Sequence, residues 1–124
     1  MIFVFLYFCQ SIDRFAVVKY NGYEDLTHYY SDMSAYSDKS RISNVDIPFL
    51  ILHALDDPLI SWRTLGDPNE IVHSGKGNIL MLITKSGGHV GWPMGINPTI
   101  HTWKYMNDCV SDFVHSLQLA ISNK

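Results

Sequence analysis

The chain has 124 residues, 47% of them hydrophobic and 17% charged, which excludes the low-hydrophobicity, high-charge compositions that stay disordered and suits one domain or part of one. Its net charge of −3, pI near 6.0 and nine scattered Lys and Arg supply no basic field for a nucleic-acid backbone and no polybasic membrane patch. Nucleic acid is not expected as a partner.

Residues 1–10 open with an apolar run, Met1-Ile-Phe-Val-Phe-Leu-Tyr-Phe-Cys9. A transmembrane helix needs about 20 apolar residues, so this run is too short to span a bilayer. It also lacks the basic region and small-residue cleavage site of a signal peptide. Two readings stay open: a buried strand, or sequence foreign to the domain. Cys9 and Cys109 fit no metal-ligand spacing and are read as free, mostly buried thiols of a reducing compartment.

Residues 11–46 are polar and rich in Tyr, Ser and Asp, and read as a linker and helical segment leading into the core. Tyr23–Tyr30 is expected to be a short helix, with Leu26 and Tyr30 on one face. Residues 31–44 have loop composition, with one helical turn around 38–42.

Residues 47–124 read as a βαβα unit. Ile47-Pro-Phe-Leu-Ile-Leu-His-Ala54 and Asn78-Ile-Leu-Met-Leu-Ile-Thr84 are continuous apolar runs, the habit of parallel strands buried on both faces. Pro48 is acceptable only at a strand's start. The 24 residues from Leu55 to Asn78 are too many for a hairpin and enough for a crossover, right-handed by default. Its weak helical signal (Ile60, Trp62, Leu65), broken by Gly66-Asp67-Pro68, predicts short irregular helix. At the end, Asn97 is placed to cap a helix beginning at Pro98. Ile100, Trp103, Met106, Val110, Phe113, Val114, Leu117 and Ile121 then form one apolar stripe along roughly six turns.

Each strand is followed by a turn rich in chemistry: His53-Ala-Leu-Asp-Asp-Pro58 after the first, Gly87-Gly-His-Val-Gly-Trp92 after the second. Catalytic groups gather at the carboxyl ends of parallel strands, which lie about 4.8 Å apart. An aspartate at one end and a histidine at the other are thus within hydrogen-bonding reach. A carboxylate that accepts from Nδ1–H fixes the imidazole tautomer and stabilises the imidazolium formed when Nε2 takes a proton. Taken singly, each motif is as well explained by a solvated turn or a glycine bend.

Pro48-Phe-Leu-Ile-Leu-His-Ala-Leu-Asp-Asp-Pro58 followed by Gly87-Gly-His-Val-Gly-Trp92 resembles the α/β-hydrolase superfamily, within it the AB hydrolase 4 branch of YheT-like esterases and lipases. The segment Ser11-Ile-Asp-Arg-Phe15, Gly22-Tyr23, Tyr29-Tyr30 and Ser34 also resembles that branch, so the likeness covers about residues 11–118 and is weak over 61–77. It implies the C-terminal part of an α/β-hydrolase fold: the last parallel strands, the crossover and the long helix. It also implies a Ser–Asp–His triad with Asp57, which precedes the proline, as the acid and His89 as the base. Asp56 is the alternative acid, otherwise a turn or capping residue. Gly87 and Gly88 would free the backbone for the bend. Trp92 is placed near an acyl pocket or, equally, as a core or loop aromatic.

No Gly-x-Ser-x-Gly elbow occurs in these residues, and Ser74 and Ser86 lack its context. The chain alone is therefore expected to be inactive and poorly stable, with an apolar sheet face and edge left bare. The resemblance implies an acyl ester or lipid substrate, no cofactor, and peripheral membrane contact through an N-terminal part absent here. His53 is read as a satisfied core or edge histidine. The spacing of His28, His73, His101 and His115 predicts no metal site. The rival reading is a non-catalytic α/β interaction module that buries its apolar N-terminus and last helix on a partner chain.

Overall fold

The computed structural model describes residues 10–35, 41–94 and 103–123; the N-terminal run, Cys9 and the Asn97-Pro98 cap lie outside these. First comes an element that composition did not signal. A π-helical stretch, Asp13–Val17, runs into a single turn, α1 (Val18–Tyr20). Val18 is its buried residue, too little apolar periodicity to read in advance. Gly22, at φ +73, turns the chain away in a conformation that a side chain would strain. Next, α2 (Leu26–Met33) starts three residues later than expected, because Asp25 caps it by accepting from the His28 amide at 2.7 Å. A 3₁₀ turn occupies Arg41–Asn44.

The first strand, β1 (Phe49–Ala54), begins just after Pro48, which has no N–H to give to a ladder. The crossover holds two short helices, α3 (Trp62–Leu65) and α4 (Pro68–Ser74). Gly66 separates them at φ +87. Asp67 caps α4 by accepting from the Asn69 amide at 2.8 Å, with Pro68 in the first turn. The second strand, β2 (Ile79–Thr84), pairs with β1 in a parallel two-stranded sheet. Last comes α5 (Lys104–Ser122), 19 residues long. It starts later than the apolar stripe suggests. Trp103 has φ +68 and ψ −4, a left-handed conformation no α-helix passes through, so this residue precedes the helix.

Two compact units result. One takes the described residues up to Pro48 together with Gly66–Ile79. Val18, Ile42, Ile71 and Ile79 are its buried apolar residues. Asn78 stitches it, donating from Nδ2 to the carbonyls of Val45 (2.6 Å) and Ile47 (2.7 Å), while Lys76 pairs with Asp46. Tyr23 and Arg41 both bond Asp32, at 2.8 and 2.9 Å.

The other unit takes Phe49–Leu65 with the described residues from Leu80 onward, and α5 packs on β1. Its buried residues are His53, Ala54, Gly87 and Trp92, at or beyond the carboxyl ends of the strands. The apolar runs suit burial on both faces, but the sheet face that two strands alone were expected to leave bare is bare: Leu80 is 53% exposed, and Phe49 and Leu82 are exposed too. A single helix cannot cover both faces of a sheet. Leu50, Leu80, Leu82, Cys109 and Phe113 line an apolar groove of about 340 Å³. Cys109 is a free, half-buried thiol. Among the described residues, no helix is long and apolar enough to cross a membrane.

Candidate active site

The two loops that leave the strand ends are joined at their roots, where the Leu55 amide donates to the Thr84 carbonyl at 2.9 Å. Beyond that point the acid loop folds on itself. The Asp57 amide donates to the Ala54 carbonyl at 3.1 Å. Asp57 Oδ1 accepts from the amides of Leu59 (2.7 Å) and Ile60 (2.9 Å), an Asx turn around Pro58. These bonds fix the carboxylate and leave Oδ2 for another partner. That partner is His89, whose Nδ1 lies 3.0 Å away. The Asp57 side chain is 5% exposed and the imidazole 41%.

The histidine loop is a strained bend held by cross-links. Gly88 has φ +60, which suits glycine, but Val90 (φ +57) and Trp92 (φ +38) also lie in the left-handed region, costly above all for a β-branched valine. The Trp92 amide donates to the Gly87 carbonyl at 2.7 Å, and its indole Nε1 donates to Thr84 Oγ1 at 2.8 Å. A Cβ on Gly87 would sit 2.3 Å from that Nε1, so only glycine fits. Trp92 is 6% exposed and serves as the loop's internal anchor. Asp56, adjacent to the acid, reaches over to the same bend: its Oδ1 accepts from the amides of Gly87 (2.8 Å) and Gly88 (2.9 Å).

Burial pushes the Asp57 carboxyl up. The Ile60 amide, the His89 ring and the Leu59 amide outweigh burial and hold it below the ordinary carboxylate value. An ionised carboxylate only accepts, so Nδ1 carries the ring hydrogen and Nε2 is the nitrogen able to exchange a proton. A cavity of about 510 Å³ lies on the Asp56 side, lined by Thr84, Lys85, Trp92, Met94 and Tyr105 as well as Asp56. Asp57 and His89 are not among the residues that line it.

Sequence reasoning missed the cross-loop role of Asp56; the signal was an extra acceptor opposite two adjacent glycine amides. His53 corrects an expectation. It is buried at 7% exposure, yet its Nε2 has no hydrogen-bond partner among the described residues. No group of three His, Cys, Asp or Glu that could hold a metal ion occurs among the described residues.

The chain is 32% identical over 104 residues, 84% of its length, to a protein named Phospholipase ABHD3 from Homo sapiens. It is 29% identical over 109 residues, 86% of its length, to Monoacylglycerol lipase ABHD2 from Danio rerio. It is 40% identical over 72 residues, 57% of its length, to Monoacylglycerol lipase from Saccharomyces cerevisiae. The chain belongs to the α/β-hydrolase family. This α/β-hydrolase chain spans 23%, 24% and 14% of those three relatives' own lengths, respectively. No family model and no solved structure matches it. Its two strands and long final helix are part of the α/β-hydrolase fold.

Proposed function

We propose that this α/β-hydrolase chain supplies the acid and the base of a serine ester hydrolase, Asp57 and His89, and that the nucleophilic serine comes from outside these 124 residues. The observation that carries the reading is the Asp57 Oδ2 to His89 Nδ1 contact at 3.0 Å. In the complete site the serine Oγ attacks the ester carbonyl carbon while His89 Nε2 takes its proton. Asp57 holds Nδ1–H and stabilises the imidazolium. The imidazolium then protonates the departing alkoxide, releasing the alcohol and leaving an acyl-serine. A water, deprotonated by His89, attacks the acyl carbon, releases the carboxylic acid and restores the serine. No cofactor enters these steps. The names of the relatives support acylglycerol or phospholipid esters as substrates.

The test is hydrolysis of a p-nitrophenyl ester by the chain alone and joined to the polypeptide encoded upstream of it. Activity is expected in the joined protein, lost on His89→Ala, and absent from the chain alone. An upstream sequence without a Gly-x-Ser-x-Gly elbow, or a joined protein whose hydrolysis survives His89→Ala, defeats the proposal.

A further inference from the structure

Asp56 and Asp57 are chain neighbours that hold different parts of one loop. Asp57 bonds the His89 ring, whereas Asp56 bonds the backbone that leads into it, at Gly87 and Gly88. We propose that Asp56 is a positioning residue: it fixes the Gly87-Gly88 bend and thereby sets where the His89 imidazole stands relative to Asp57. This rests on the reading of Asp57 and His89 as acid and base.

The bend needs an external hold. Val90 and Trp92 keep left-handed conformations that a free loop would abandon. The ties from Trp92 run to Gly87 and Thr84, closing the loop on itself and on its own strand. They leave its placement against the acid loop undetermined. Links between the loops include the Leu55 to Thr84 bond at the roots, the Asp57–His89 contact, and the two bonds of Asp56. The root bond lies five positions before His89, too far to orient a ring. Two successive amides converging on one oxygen form an anion-holding concavity, and the Asp56 carboxylate fills it one residue ahead of the histidine.

Both amides meet a single atom, Oδ1, and this makes the role testable. Asp56→Asn keeps an oxygen there; Asp56→Ala does not. Both remove a negative charge beside Asp57, and that change alone eases Asp57 ionisation and lowers its titration midpoint. The readout is the Asp57 carboxyl titration, followed by carbon NMR in the chain joined to its upstream polypeptide. Asp56→Asn is expected to leave the midpoint unchanged or lower. Asp56→Ala is expected to raise it toward the ordinary value of about 3.9, because the His89 ring, one of the groups holding it down, is released. Parallel shifts in the two variants would overturn the proposal. A second measurement needs no alanine variant: the Gly87 and Gly88 amide protons should follow the protonation of Asp56 in the native chain and lose that response in Asp56→Asn. Amides blind to Asp56 would also overturn it. Neither readout involves ester hydrolysis, so a failed esterase assay leaves both results interpretable. In the complete hydrolase, Asp56→Ala is expected to lower kcat by about 10²-fold with little change in KM, and Asp56→Asn to recover most of it; an Asp56→Ala enzyme with native kcat would count against the role.

Discussion

Asp57 and His89 lie 32 positions apart in the chain, and their side chains meet at 3.0 Å. The buried partner is the one fixed on its other oxygen by two amides, so the carboxylate is the reference point and the imidazole is set against it. Asp57→Asn would keep an acceptor for those amides, but it removes the charge that stabilises an imidazolium and lets the ring take the wrong tautomer. In the complete hydrolase this variant is expected to lose about 10⁴-fold in kcat. His89→Ala should lose at least as much, and the double variant little more than either alone, since groups that act as a unit are not additive. Steady-state kinetics on the three variants checks this, and additive losses would mean that the pair does not act together.

The same contacts make folding stability depend on pH. The Asp57 carboxyl is held below its ordinary value in the folded chain, whereas in the unfolded chain it titrates near 3.9. Between those two values the unfolded state binds the extra proton, so stability rises with pH there. The stabilisation is present above the unfolded value and is lost as pH falls through the folded one. Urea denaturation of the native chain and of Asp57→Asn should show a stability gap that is steady from pH 7 to about 5 and closes below pH 4. A gap that persists at pH 2 would assign the difference to packing instead.

Those elements were legible whose signal is local. Pro48 and the Gly87-Gly88 step mark where the apolar runs begin or end, and β1 and β2 fall between such stops. Asp67-Pro68 marks the start of α4 as a cap and first residue should. The facing of Asp57 and His89 followed from one rule, that side chains at the carboxyl ends of adjacent parallel strands share a crevice. What could not be read depends on tertiary placement. An aspartate in a turn reads the same whether it caps its own loop, as Asp57 Oδ1 does, or bonds another, as Asp56 does. The apolar period of α5 runs back through Trp103, and nothing in it announces the left-handed turn there. The exposure of Leu80 was legible, by contrast, because two apolar strands without further elements leave a sheet face bare.

Gly87 and Gly88 are adjacent glycines needed for different reasons, and substitution should separate them. Alanine at 88 meets no atom within 4 Å but must adopt φ +60, a strain of about 1–2 kcal/mol. At 87 the added methyl collides with the Trp92 indole, 2.4 Å from Cδ1 as well as 2.3 Å from Nε1. Relief requires moving a buried ring off its bond to Thr84. Gly87→Ala is therefore expected to cost about 1–3 kcal/mol as overpacking and to perturb Trp92 fluorescence, which Gly88→Ala leaves nearly unchanged. Equal fluorescence changes in the two variants would contradict the clash.

Trp92→Phe provides the cross-check on that collision. The smaller ring keeps an apolar filling near Tyr105, whose ring centroid lies 6.3 Å from that of Trp92, but it gives up the 2.8 Å indole bond to Thr84. On its own the loss should be about 1 kcal/mol for the hydrogen bond, plus a smaller packing deficit. Phenylalanine also lacks the five-membered ring whose Nε1 and Cδ1 meet the Gly87 methyl. Adding Gly87→Ala to the Trp92→Phe chain should thus cost clearly less than adding it to the native one. A coupling of at least about 0.5 kcal/mol in a denaturation double-mutant cycle is the expected sign of residues in contact. Strict additivity would place the origin of the Gly87 requirement in its backbone rather than in the indole packed against it.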